Sequence, residues 1–499
     1  VNFLDELKVS LNLTKTQNDA LTYKSSLNPL VDFFAICGGA RDKSDGELFN
    51  YLSKAYAFDA TLCVKILLYL RDIKKGMGER EVFRRLMKIM LHTHPLTALE
   101  ILKQIPDLGR WDDIVKIWYD NQELDFLNDF VRKLIQDTLQ KDLNSTNPTL
   151  LAKWLPSENT SSFKSRKIAR ALIKILEFKP KEYRQILSKL RKKICIVENF
   201  LRQKDYSFDY VKLPSKALRK YSSAFYQNDK IRIKAFYQSI AEGKVKLKTS
   251  SLTPFDVVRE CLNLMSSYES QELIKRKEIL ARLKDLDLTW QNLENVFEDR
   301  NLDMIVAADV SGSMQGEPMI CSISLALLIA QQNKGAFHNH FIDFCGQPRL
   351  HNISGIKELW QLLKYIENSS LDMNTDIDLV FKLLLKAAKK SKAVPKYVMI
   401  ISDMEFDSCC DKKVNFKYWK KLFKGKGFEL PCVIFWNVHS TSVISPALAK
   451  DNVLFVSGRS QNVLKALLDI DKFDFKEQNE LSYHLIRTAL EKYKIKILD

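Results

Sequence analysis

The chain has 499 residues, 46% of them hydrophobic and 28% charged, which is enough apolar side chain for two to four domains at ~150 residues each. No apolar run approaches the ~18 residues of a membrane span. With only 15 Gly and 13 Pro, a turn-rich all-β chain is excluded and much helix is expected. The formal charge of +17 is segregated: residues 161–250 carry 24 Lys and Arg against 7 Asp and Glu, so this stretch alone holds the whole excess and implies a polyanionic partner.

Val1 to Leu7 show no basic segment followed by an apolar one, so no signal peptide is expected. The nine cysteines are scattered without a Cys-x-x-Cys pair, and the vicinal Cys409-Cys410 is read as reduced thiols in a cytoplasmic protein. From the start to about Asp299 the pattern is helical, with apolar residues at three- and four-residue spacing in Gly46 to Leu52, Asp59 to Leu70 and Val82 to Leu91. Thr93-His-Pro95, Pro106-Asp107, Asn147-Pro148, Lys179-Pro180 and Thr253-Pro254 punctuate it. No β-like alternation is read before residue 300. Many short helices suggest an all-α solenoid over residues 1–300, with an ordinary irregular all-α domain as the alternative, since no fixed repeat period is visible. Glu269 to Glu298 reads as a charged helical link.

After Leu302 the rhythm changes. Met304 to Ala308, Asn339 to Phe344, Tyr397 to Ser402, Cys432 to Asn437 and Val453 to Ser457 are buried-strand runs. Helices are expected at Met319 to Gln332, Gly355 to Glu367 and Asp376 to Lys390, and after each of the last two strands. Alternating helix and continuous apolar strand implies a mainly parallel sheet covered on both faces, an α/β domain over residues 301–499. Sites in such sheets lie at the carboxyl ends of strands, where Asp309 and Asp403 fall.

Asp309-Val-Ser311-Gly-Ser313 brings one strand-end carboxylate and two hydroxyls toward one point, with Gly312 expected to permit the turn. Those are oxygen donors for a hard divalent cation such as Mg²⁺, or another such as Mn²⁺ or Ca²⁺. The loop resembles a metal-ion-dependent adhesion site, in which two further loops supply a Thr and an Asp; the resemblance implies Thr375 and Asp403 here, and a ligand set of Asp309, Ser311, Ser313, Thr375 and Asp403. Asp372, Asp376 and Glu405 are read as solvated or helix-capping, and His338, His340 and His351 as core or surface residues. With one metal and no paired acid, base and nucleophile, the site is not expected to be that of an enzyme.

The basic stretch interleaves cations with aromatics, among them Phe163, Tyr183, Phe208, Tyr210, Phe225 and Phe236. The cations neutralise phosphates and the aromatics are candidates to stack on unpaired bases, with helical core packing the competing role. The candidate RNA-binding residues are Lys164, Arg166, Lys167, Arg170, Arg191, Lys192, Lys193, Lys216, Arg219 and Lys220. In Gly109-Arg-Trp-Asp-Asp113, Asp112 or Asp113 is expected to cap a helix while Trp111 packs. Arg71 and Arg80 either touch phosphate or pair with Asp72 and Glu79.

The Asp309 loop resembles the metal-ion-dependent adhesion site of von Willebrand A domains. The whole chain, with Arg71 to Arg80 similar to an early interhelical turn, resembles Ro-type ribonucleoproteins of the TROVE family, which join a HEAT-like helical ring to such a domain. It looks closer still to an uncharacterised TROVE-like family, through Gly109 to Asp113, Leu151 to Pro156, Leu213 to Ala217, Asp309 to Met314, Ser402 to Phe406 and Phe435 to Asn437. Lys74, Lys75 and Met77 depart from the Gly/Arg-like pattern at the early turn, which puts RNA contacts there in doubt. The resemblance implies a ring that holds RNA, and the resulting expectation is a monomeric RNA-binding scaffold that holds structured or single-stranded RNA and recruits a protein through the metal. The alternative is a metal-dependent protein-interaction adaptor without nucleic acid. No membrane partner is expected.

Overall fold

The structure is a computed structural model that describes residues 3–194, 196–269, 273–298, 300–344, 347–367, 376–408, 414–442, 444–468 and 481–499. A helical N-terminal region precedes an α/β domain of the von Willebrand A type. The chain forms two compact units that are not collinear with this change of secondary structure. One comprises Val1–Leu70, Lys74–Val82 and Leu252–Lys494; the other comprises Arg71–Ile73, Phe83–Ser251 and Ile495–Asp499.

In the first unit, β1 (Leu13–Lys15) and β2 (Leu21–Tyr23) form an antiparallel hairpin. This corrects the expectation of no strand before residue 300. Three residues per strand are too few to leave an alternating pattern, and the hairpin is held from elsewhere, by exchange of backbone hydrogen bonds between Tyr23 and Ser445. The main sheet has six strands: β3 (Met304–Asp309), β4 (His340–Phe344), β5 (Arg349–Asn352), β6 (Tyr397–Ser402), β7 (Cys432–Asn437) and β8 (Val453–Ser457), in the order β5-β4-β3-β6-β7-β8. All pairings are parallel except β4 with β5. The edge strand β5 was not read from the sequence: in Arg-Leu-His-Asn only His351 is buried, so no apolar run marks it. β3 and β6 are buried at every position, as expected of central parallel strands.

The apolar helix Glu317–Gln332 packs against β3, β4 and β6. A helix was expected after β7, but none lies between β7 and β8 among the described residues. The helix Pro29–Cys37 packs instead against β7 and β8, from nearly four hundred residues upstream. Asn28 caps it by accepting from the amides of Leu30 and Val31, and Ser457 Oγ donates to Phe34 O at 2.6 Å. The helix expected from Gly355 begins at Leu359, where Asp287 accepts the first amide. Cys37, Cys63, Cys261, Cys321 and Cys432 are buried free thiols; Cys409 and Cys410 lie outside the described residues.

The second unit is helical from Phe83 to Ser251. Its charged core centres on Asp113, which accepts from Arg71 Nε at 2.8 Å and Arg84 Nε at 2.8 Å. Asp113 also accepts the Arg110 amide, capping the helix Trp111–Tyr119 as expected, while Trp111 is buried. The Gly in this motif has a steric cause: a Cβ on Gly109 would lie 2.9 Å from Arg71 Nε and 3.0 Å from Asp113 Oδ2. Arg71 is thus a buried partner of Asp113 and does not pair with Glu79, whose carboxylate takes Arg41 at 2.7 Å.

Candidate metal centre and basic helical surface

The register of the sheet brings the two acidic loops together. Ala308 pairs with Ile401 across parallel strands, so Asp309 emerges beside Ser402 and Asp403 follows one residue beyond. Neighbouring strands lie ~4.8 Å apart, so the two carboxylates leave the sheet at the same edge. Ser402 Oγ donates to Asp309 Oδ2 at 2.6 Å, and the Ser311 amide donates to Oδ1 at 2.9 Å. The hydroxyls of Ser311 and Ser313 lie 3.2 Å apart. Burial grades outward along the loop: Asp309 and Ser311 are fully buried, Asp403 nearly so, and Ser313 is exposed.

Gly312 lies in a turn, as expected. It opens a 3₁₀ turn, Gly312–Met314, and Gly316 with φ of 90° makes the reversal into the next helix. Thr375 and Asp372 lie outside the described residues. Asp376 caps the helix Ile377–Ser391 through the Leu379 amide. Glu405 was expected to be solvated or capping, but it is buried, with Oε2 accepting from the Gln17 amide at 2.8 Å. The upstream hairpin therefore braces the Asp403 loop, a contact too remote in sequence to read there. His351 is buried against Asp343, Nε2 to Oδ2 at 2.9 Å, and stacks on Phe341.

Burial, and then the charge of Asp403, push the Asp309 carboxyl up to about 7. Among the described residues neither acid has a Lys, Arg or His within ion-pair distance. Nor, among them, do three His, Cys, Asp or Glu side chains gather at metal-ligand spacing. The donor set is two carboxylates plus hydroxyls, all hard oxygen. A divalent cation fits this set because it supplies the positive charge that the buried acids lack.

The basic candidates separate into two groups. Lys164, Lys167 and Arg170 are exposed on the helix Phe163–Ile175. Lys174, missed in the sequence reading, continues their stripe; the three- and four-residue spacing was the available signal. Lys192, Lys193, Lys216 and Lys220 are also exposed. Lys193 reaches Leu143 O at 2.7 Å, and Lys220 lies 4.8 Å from the Tyr221 ring.

The others are turned inward. Arg166 donates to Thr160 O and Ser161 O. Half-buried Arg191 donates to Ala152 O, Leu155 O and Ser157 Oγ, and Arg219 is half-buried. Most of the aromatics offered as stacking platforms are core: Phe208, Tyr210, Phe225 and Phe236 pack ring against ring at 5.2–5.7 Å. Phe163 is the exception, 64% exposed with Lys167 Nζ 4.5 Å from its ring.

Comparison with known proteins gives three results. A family model described as a domain of unknown function (DUF2828) matches residues 16–110 and 109–300, and a second domain of unknown function (DUF7788) matches residues 291–496. An uncharacterised protein, L728, of Acanthamoeba polyphaga mimivirus is 27% identical over 93% of this chain and 86% of its own length. The Ro (RSR) protein of Deinococcus radiodurans superposes with a TM-score of 0.50 at 13% identity, covering 94% of this chain and all of that one. At that identity the likeness is one of fold.

Proposed function

The chain belongs to the DUF2828 family, and from that premise and its Ro-like fold we propose that it is an RNA-binding scaffold whose A-type domain recruits a protein partner through a divalent metal. The observation that carries the RNA reading is the stripe Lys164–Lys167–Arg170–Lys174 beside exposed Phe163, within the stretch that holds the chain's entire positive excess. Such a face neutralises phosphates without asking for sequence, and an exposed ring with a cation over it suits an unpaired base. In the A-type domain, Asp309, Ser311, Ser313 and Asp403, with Thr375, would hold Mg²⁺ or a related cation. The exposed Ser313 side of the loop leaves room for a partner carboxylate.

Retardation of single-stranded and hairpin RNA in gels, repeated over a salt series, tests the RNA reading. Binding should weaken with a slope of about −0.7 per neutralised phosphate on a single strand. Reversing Lys164, Lys167, Arg170 and Lys174 to Glu should weaken it at least about tenfold. Absence of RNA binding at low salt, or indifference to the four reversals, removes the reading and favours the adaptor alternative.

A further inference from the structure

The motif Leu151 to Pro156, without a role so far, meets Asp112 of the Gly109 to Asp113 motif at one open pocket of about 320 Å³ on the helical unit. Trp154 lines it, with the Arg110 guanidinium 4.4 Å and Lys153 Nζ 5.6 Å from the ring. Lys116, Lys153, Arg191 and Asp112 line it; Lys116 lies 3.6 Å from Asp112 and Lys153 3.8 Å from Glu198, while Asp112 is also held by Arg84 and Arg110. Arg191 is the informative member. All its hydrogen bonds go to neutral oxygens, and among the described residues no carboxylate lies within ion-pair distance of it. A half-buried guanidinium left positive on a cavity wall favours an anionic ligand.

We infer that this cavity binds a nucleoside monophosphate unit, either free or as one residue of an RNA strand. Two requirements converge on that class. The indole offers a planar stacking surface already flanked by cations. Arg191 provides for a phosphate, and Lys116 and Lys153 can turn to it from their long, partly exposed ion pairs. The volume lies at the lower end of small-ligand sites, about 300–1,000 Å³, and exceeds what inorganic phosphate would fill. The strand form of the inference rests on the RNA reading above; the free form does not.

The test uses the full chain and two probes. A 4-thiouridine-labelled oligoribonucleotide is photo-crosslinked and the adduct mapped by mass spectrometry; AMP is measured separately by equilibrium dialysis. The expected adduct falls within residues 151–157. The double variant Lys116→Gln/Lys153→Gln, whose side chains are partly exposed and so spare the core, should weaken AMP binding and lose that adduct by at least about tenfold. Trp154→Ala should do the same, and Trp154→Phe should restore binding.

If RNA binds while its adducts lie elsewhere and AMP is not retained, the cavity proposal is overturned and the RNA reading survives. If RNA fails to bind but AMP is retained and lost in the double variant, the RNA reading fails and the cavity stands as a free-nucleotide site. Failure of both probes ends both.

Discussion

Asp113 and Asp309 are both fully buried, and their surroundings are opposite. In the helical unit, Asp113 takes two guanidiniums, Arg71 and Arg84, plus the Arg110 amide. In the α/β unit, Asp309 takes a hydroxyl and an amide and faces a second acid, Asp403. One charge is neutralised from within the chain; the other is solvated by neutral donors alone among the described residues. Asp287 stands between them: it is buried and accepts the Leu359 amide at 2.6 Å, and burial pushes its carboxyl up to about 7. The lesson is that an arginine partner makes a buried acid a structural bond, whereas an acid faced by a second carboxylate, as at Asp309, is the one proposed to take a cation.

The contrast can be broken at its strongest point first. Asp113→Ala leaves two buried guanidiniums without their carboxylate and should cost about 3–5 kcal/mol in denaturant unfolding. A loss below about 1 kcal/mol would mean that the cluster is not a structural bond.

Asp287 sharpens the comparison through pH. Its raised pKa means that the folded state binds the proton more tightly than the unfolded chain. Its contribution to stability is therefore full below about pH 4 and lost as pH rises through about 7, at up to about 1.4 kcal/mol per pH unit. Asp287→Asn should flatten the stability profile between those limits, and an unchanged slope assigns the proton elsewhere.

Asp309→Asn should have the opposite sign to Asp113→Ala. In chelator it removes a buried charge that has no cation, so stability should hold or rise by about 1 kcal/mol. A loss of several kcal/mol would show that the carboxylate already has its counter-charge. Smallest of all, Lys164→Glu should change stability by no more than about 0.5 kcal/mol, as for an exposed helix face, which makes it a clean control for RNA binding.

What was legible in the sequence followed from local pattern. The strands ending at Asp309 and Ser402 were visible because buried parallel strands are continuous apolar runs, and the order of the loops placed both acids at one sheet edge. What was hidden depends on partners distant along the chain. The Pro29–Cys37 helix on β8, the Gln17 amide on Glu405 and the Asp113 partner of Arg71 leave no mark at three- or four-residue spacing. The aromatics of 161–250 misled for a related reason: helical periodicity alone does not tell a ring packed on other rings, such as Phe225, from an exposed one, such as Phe163.

The most direct measurement is a calorimetric Mg²⁺ or Mn²⁺ titration of the metal-stripped protein, paired with thermal melts. Saturable binding near one equivalent is expected, with stabilisation of about 2.7 kcal/mol at a hundredfold excess over Kd and loss of both in Asp309→Asn. No heat and no shift in the native protein, or an equal response in Asp309→Asn, would contradict a metal at the Asp309–Asp403 edge.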